Sequence, residues 1–387
     1  WDEAHLKPFL VKTKHSACLT TTRNTDAIRD DGIAKQAIDK MKPIEAVELL
    51  GAGIDPDAVK AQDAQLRHLA RELREYPLVL ALANTQIANY MTDMGLSLAD
   101  AIKHAQKRLA KKGVLGFDDR DPKERTRAVS ATLDLSIQQL NPDNQRMYQE
   151  LAIFPEDAVI PLTTLEKYWD MEDIDTEDFC QLLYRKTALL HSFEGMAIRI
   201  HDVFRDYLTR QWTPDQLRDL HQRLITNYGD LHHLPDTYSW LNIGYHLMSA
   251  GENLILRGLL YDYVFLSNKL GQTDVYSLIS DYNTFSHDPI LNLLASAIKL
   301  SAYILVEDKR QLAYQLTGRL WNLRDHENIS QIYSSSMNSI TTWDWDERIS
   351  SHPLELVGSS FRGILPDSKG IYHFSWSPDS KYICGIS

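Results

Sequence analysis

The sequence predicts a mainly α multidomain protein, and three observations carry that expectation. Glycine is scarce, 17 in 387 residues, where an average composition of roughly 7% would supply about 27, so loop-rich all-β architecture is disfavoured. From residue 43 to about 345, apolar residues recur mostly at three-to-four spacing, the period of a helix with one buried face. β-type patterning is confined to short stretches near 16–41, 189–200 and 361–387. At about 100 to 200 residues per domain the chain divides into several domains, each able to bury its own core.

Charge and cysteine usage narrow the function classes. Lys and Arg number 41 against 53 Asp and Glu, a net charge of −12. Such a surface repels phosphate backbones, so nucleic acid is not expected as the principal partner. No apolar run approaches the roughly 18 residues of a membrane span, so no membrane partner is expected either. Cys18, Cys180 and Cys384 are too far apart for a disulfide framework or a metal knuckle, which suits a reducing, cytoplasmic setting. The chain opens on Trp1-Asp2 and closes on Cys384-Gly385-Ile386-Ser387 within a strand pattern. Both ends read as cut, and the sequence is expected to be a window into a longer protein.

Element by element, residues 1–42 begin with Ser16-Ala17-Cys18-Leu19-Thr20-Thr21-Thr22, short, small or β-branched and not alternating. That is the pattern of a strand buried on both faces of a parallel α/β sheet, and a second strand is expected at 37–41. Residues 43–112 form a four-helix unit. Pro43 opens its first helix, 58–74 its second, Pro77 its third, and Ser97-Leu98-Ala99-Asp100 resembles a capping box for the fourth. Residues 113–124 read as a linker. In 124–213, helices are expected at 127–140, after Asn141-Pro142, at 161–169 and at 176–187. A hairpin of 189–191 with 197–200, turning at 192–195, and a helix 201–210 follow. Helices before a hairpin are the pattern of a winged helix. Residues 214–345 form a helical array with segments at 254–265 and 290–305, and 350–387 read as strands around the turn Ser377-Pro378-Asp379-Ser380.

Four motifs in this order resemble those of the NB-ARC proteins, signal-transduction NTPases of the STAND class, specifically those ending in a WD-repeat propeller. Leu19-Thr20-Thr21-Thr22-Arg23 is similar to the strand end whose arginine senses the terminal phosphate; a planar guanidinium there can read a γ-phosphate. Glu75-Tyr76-Pro77-Leu78 is similar to the GxP-Leu motif whose proline packs on adenine, with Glu75 standing where Gly is usual. Ile200-His201-Asp202 resembles the MHD motif, whose histidine hydrogen-bonds the β-phosphate of ADP. Ser377-Pro378-Asp379-Ser380-Lys381 resembles the SPDGK turn of a first propeller blade.

The resemblance implies that 1–42 are the C-terminal part of a P-loop nucleotide-binding core and that 43–112 and 124–213 are the ARC1 and ARC2 domains. Arg23, Pro77 and His201 are then the nucleotide contacts, and ADP or ATP with Mg is the ligand of the complete protein. It further implies a switch, autoinhibited with ADP and a homo-oligomer when activated, whose propeller reads a protein or small ligand. The phosphate loop and catalytic acids are not in this sequence, so the chain is not expected to hydrolyse ATP alone, and no catalytic residue is assigned. Two other readings stand beside this one. A scaffold with a degenerate nucleotide site would follow if Glu75 disables the corner. A winged-helix DNA regulator would use 176–186, but that stretch opens with acids and carries only Arg185 and Lys186. His232-His233 and His287-Asp288 lack Cys or carboxylate partners at ligand spacing and read as solvated loops, with no metal expected.

Overall fold

The computed structural model describes residues 19, 41–118, 121–340, 373–376 and 383–386. Leu19 and Met41 apart, the strand expectations at 16–22 and 37–41 lie outside these residues, as do Arg23, the strand at 361–364 and the Ser377-Pro378-Asp379 turn. The described chain is mainly helical and divides into two compact units, one ending at Asp134 and one starting at Leu135.

The first unit contains α1 (Pro43–Leu50), α2 (Pro56–Ala61), α3 (Asp63–Glu72), α4 (Pro77–Met94) and α5 (Leu98–Lys111), and α6 (Pro122–Ile137) runs across the border between the units. Prolines open α1, α2 and α4, where their missing N–H has no intrahelical partner to lose. Five helices stand where four were expected, because the run 58–74 breaks at Gln62, whose φ of −108° leaves helical geometry. Its N–H is shared between the carbonyls of Ala58 and Val59. The break lets Val59 press on Gly51, where a Cβ would come within 2.8 Å of it. Ser97 caps α5 by accepting from the Asp100 N–H at 3.2 Å. The Asp100 carboxylate meets the Ser97 hydroxyl at 2.7 Å instead of reaching back to its N–H, so the expected box is only half formed. α1 packs on α3 and α4, and α5 on α3 and α4, around Leu50, Leu66, Leu69, Leu80, Ala83 and Ile102.

The second unit begins with a layer of helices and a small sheet. α7 (Pro142–Glu150), capped by Asn141, leads into a 3₁₀ turn (Leu151–Ile153), β1 (Ile160–Pro161), α8 (Leu162–Trp169) and α9 (Asp173–Gln181). A π turn (Leu182–Lys186), β2 (Ser192–Glu194), β3 (Ala197–Arg199) and α10 (Asp202–Thr209) follow. The sheet order is β1-β3-β2, antiparallel throughout. A hairpin is present, but its first strand is 192–194, not 189–191. Leu189 and Leu190 are apolar because they are buried in the core, and the Leu189 N–H bonds the Leu183 carbonyl. The turn is Gly195-Met196, both left-handed at φ 59° and 58°, which matches the twist of a two-residue hairpin. β1 was not anticipated, since two residues carry no period.

The helical array continues with α11 (Pro214–Tyr228), α12 (Thr237–Ala250), α13 (Asn253–Leu259), α14 (Tyr263–Gln272), α15 (Val275–Asn283), α16 (Pro289–Glu307), α17 (Leu312–Leu320) and α18 (Ser330–Asn338). The expected single segment 254–265 is split between α13 and α14, because Asp262 caps a new helix through the N–H groups of Val264 and Phe265. Successive helices pack pairwise, α11 on α12, α15 on α16 and α17 on α18. α16 is long and apolar enough to cross a membrane by composition, but its apolar face, Leu291, Leu294, Ile298 and Leu305, is buried inside the array. Farther on, β4 (His373–Trp376) and β5 (Ile383–Ile386) form one antiparallel pair, with Trp376 opposite Ile383. Lys381 and Tyr382, where the sequence pattern starts the second strand, lie outside the described residues.

Candidate functional site

Pro77 occupies the first turn of α4 and is exposed. The chain enters it through a tight corner in which Arg74 and Glu75 are both left-handed, at φ 59° and 49°. Glu75 therefore holds the conformation that favours glycine, at a cost of about 1 kcal/mol. Local bonds impose it: the Glu75 N–H donates to Ala70, and its carbonyl accepts from the Met41 N–H at 3.2 Å. Arg74 pins the corner to a neighbouring loop, donating from Nε to the Phe117 carbonyl at 2.9 Å and from Nη2 to Gly116 at 3.3 Å. Tyr76 meets the Phe117 ring edge-on, centroids 6.4 Å apart.

His201 caps α10, so that helix starts one residue later than expected. Its Nδ1 lies 2.7 Å from Asp202 Oδ1 and 3.2 Å from the Val203 nitrogen. Asp202 Oδ1 accepts the Val203 N–H at 2.8 Å. The Val203 N–H is thus shared between the Asp202 carboxylate and the His201 imidazole, which together cap the helix. The side chain is 32% exposed. His191, which sequence reasoning passed over, sits beside it with ring centroids 5.9 Å apart. The pairing of Ser192 with Arg199 brings it there, and that register was the available signal.

Of the three expected contacts, Pro77 is in the first unit and His201 in the second, each described within its own unit, and Arg23 lies outside the described residues. No group of three or more metal-ligating side chains occurs among the described residues. Contrary to the sequence reading, His232 does have carboxylate neighbours. Its Nε2 is 2.8 Å from Asp262 and its Nδ1 3.1 Å from Asp230, while His233 lies 2.8 Å from Asp230. Asp262 raises the His232 pKa. The His232 N–H, then the rings of His233 and His232, pull Asp230 down to about 2. Asp288 caps α16 and pairs with Arg257 at 2.9 Å. Glu172, Asp173, Asp175 and Asp178 are exposed at α9, forming an acidic face. Cys180 is buried, and burial pushes its thiol up to about 12, where it is unreactive.

Helices, a three-stranded sheet closing on an Ile-His-Asp cap, and then a long helical array fit the class of NB-ARC signalling proteins. Residues 217–309 match the family described as the APAF-1 helical domain. The chain is similar to apoptotic protease-activating factor 1. It is 24% identical to the Danio rerio protein over 298 residues, 73% of this chain and 22% of that relative. It is 24% identical to the Homo sapiens protein over 421 residues, 100% of this chain and 31% of that relative, and 23% identical to the Rattus norvegicus protein over 305 residues, 74% and 23%. The chain thus spans between about a fifth and a third of the length of these relatives.

Proposed function

We propose that this chain is the regulatory part of an NB-ARC-type signalling switch, with 43–112 and 124–213 acting as ARC1 and winged-helix ARC2 domains that close on ADP. Pro77 packs on the adenine, His201 bonds the β-phosphate and Arg23 senses a γ-phosphate. Exchange of ADP for ATP, with Mg, rotates the domains as rigid bodies and frees a surface for homo-oligomerisation. The helical array at 214–345 joins this switch to a propeller beginning in 350–387, which reads a protein or small ligand.

The observation that carries the reading is the Glu75 corner. The residue that departs from the motif still has the left-handed backbone a glycine would favour, so the approach to Pro77 keeps its geometry. His201, a third exposed at the start of α10, donates from its imidazole to the charged phosphate, a charge-assisted bond. The test is fluorescent ADP binding by protein carrying the complete nucleotide-binding core, compared with His201→Ala, Pro77→Ala and Arg23→Ala. A loss of about tenfold or more is expected for His201→Ala, the scale of one charged hydrogen bond. ADP binding absent from the wild type, or unchanged in all three variants, overturns the switch and leaves the interaction scaffold.

A further inference from the structure

Two imidazoles that play no part in the nucleotide reading lie deep in the second unit. His221 of α11 and His246 of α12 approach Nδ1 to Nδ1 at 2.9 Å. His221 is 4% exposed and His246 fully buried. His246 Nε2 is in turn 2.9 Å from the Tyr238 hydroxyl. Two ring nitrogens at that distance share one proton, so the contact is complete only while one of them is an acceptor. If the accepting ring takes up a proton, two N–H groups point at each other and the bond becomes a repulsion.

Among the described residues, no carboxylate lies within ion-pair distance of either ring. The positive charge of Arg205 in α10 acts on His221, Tyr245 of α12 lies edge-on to both rings, and Tyr238 contacts His246. Glu156 is drawn to Arg205 at 3.8 Å and is mostly exposed. Asp236, at the start of α12, is already engaged by Thr163, Thr164 and Ser239. Burial, with Arg205 adding to it, holds His221 down to about 4, and burial with His221 holds His246 well below its ordinary value.

What rests on the pair is the seam between the sheet-bearing layer and the array. The Phe154 ring, just after the 3₁₀ turn, packs against His246 at 6.0 Å and Tyr238 at 5.7 Å between centroids. The Phe154 carbonyl accepts from Arg205 Nε at 2.6 Å. α10, the turn and the α11–α12 pair therefore meet at one point.

We propose that His221 and His246 form an acid-released latch that seats α10 and the 151–154 turn on the helical array. Proton uptake drives the rings apart, removes the support under Phe154 and frees Arg205, so the seam opens while the distal helices stay folded. The latch stands independently of nucleotide binding.

Two measurements on the 387-residue chain test it. Hydrogen exchange, corrected for intrinsic rates, is followed between pH 7 and pH 4.5, and ¹³C-labelled histidine NMR follows the two rings. The expected result is that 151–156 and 202–209 lose at least tenfold in protection below pH 6 while α15–α16 changes less than twofold, with both folded-state rings still neutral at pH 6. In His221→Gln/His246→Gln, which cannot titrate, the change is expected to shrink below twofold. Uniform loss across the second unit, rings that titrate near pH 6.5 with protection unchanged, or an unaltered acid response in the double variant overturns the latch. If the double variant does not fold, the wild-type NMR titration decides alone.

Discussion

Glu150 and Arg223, 73 residues apart, are joined by two parallel hydrogen bonds, Nη1 to Oε1 at 3.0 Å and Nη2 to Oε2 at 2.5 Å. Glu150 is 3% exposed, and the Arg223 guanidinium also lies 4.6 Å over the Tyr168 ring. The fork ties the end of α7 to α11, and hence the sheet-bearing layer to the array. Glu150 also takes Arg146 at 3.2 Å, and Arg223 keeps about a third of its side chain in solvent, so Glu150→Ala is expected to cost about 1–3 kcal/mol in urea unfolding. Arg223→Lys keeps the charge but loses the planar fork and the ring stacking, and about 1–2 kcal/mol is expected.

The left-handed corner before Pro77 predicts a stabilising substitution. Glu75→Gly relieves a φ of 49° and gives much of that gain back as unfolded-chain entropy, for a net increase of about 0.5 kcal/mol or less. Glu75→Val, β-branched at the same φ, is expected to lower stability. A urea midpoint that falls for glycine contradicts the strain argument.

Lys269 and Asp281 form a buried ion pair at 2.5 Å, with side chains 0% and 9% exposed. The pair sits against Gly244, where any Cβ collides with the Asp281 carboxylate. Asp281→Ala strands a buried ammonium and is expected to cost about 3–5 kcal/mol, whereas Lys269→Met with Asp281→Leu is expected to recover most of it. A double-mutant cycle in thermal or urea unfolding measures the coupling.

His232 and the His221–His246 pair predict opposite pH slopes. Asp262 raises the His232 pKa in the folded state, so its contribution is complete below the unfolded value near 6.5 and fades as pH rises through the folded value. The stability gap between wild type and His232→Gln is expected to narrow from pH 5.5 to 8.5. The buried pair, held low, contributes fully above pH 6.5 and loses that contribution as pH falls toward 4. Urea unfolding of each variant across this range separates the two.

Helix starts were the most legible feature. Pro43, Pro77, Ser97 and Asn141 mark helix N-termini in the sequence and occupy them in the structure, because capping chemistry acts within four residues. The hairpin was legible as an element but not in its strand positions. Leu189-Leu190 has the apolarity of a strand, yet the left-handed pair Gly195-Met196 sets the pairing. The close approach of Val59 to Gly51 that accompanies the break at Gln62 joins residues no local pattern pairs.

The sequence by itself determined the mainly helical character, the helix starts and the motif residues Pro77 and His201, since each depends on neighbours a few positions away. Only the tertiary structure decided that Glu75 adopts a glycine-like backbone, that His201 and Asp202 share the Val203 N–H, and that Glu150 meets Arg223 and His221 meets His246. The last two contacts join residues 73 and 25 positions apart. Charge and proton sharing act through space, and only the folded chain sets those distances.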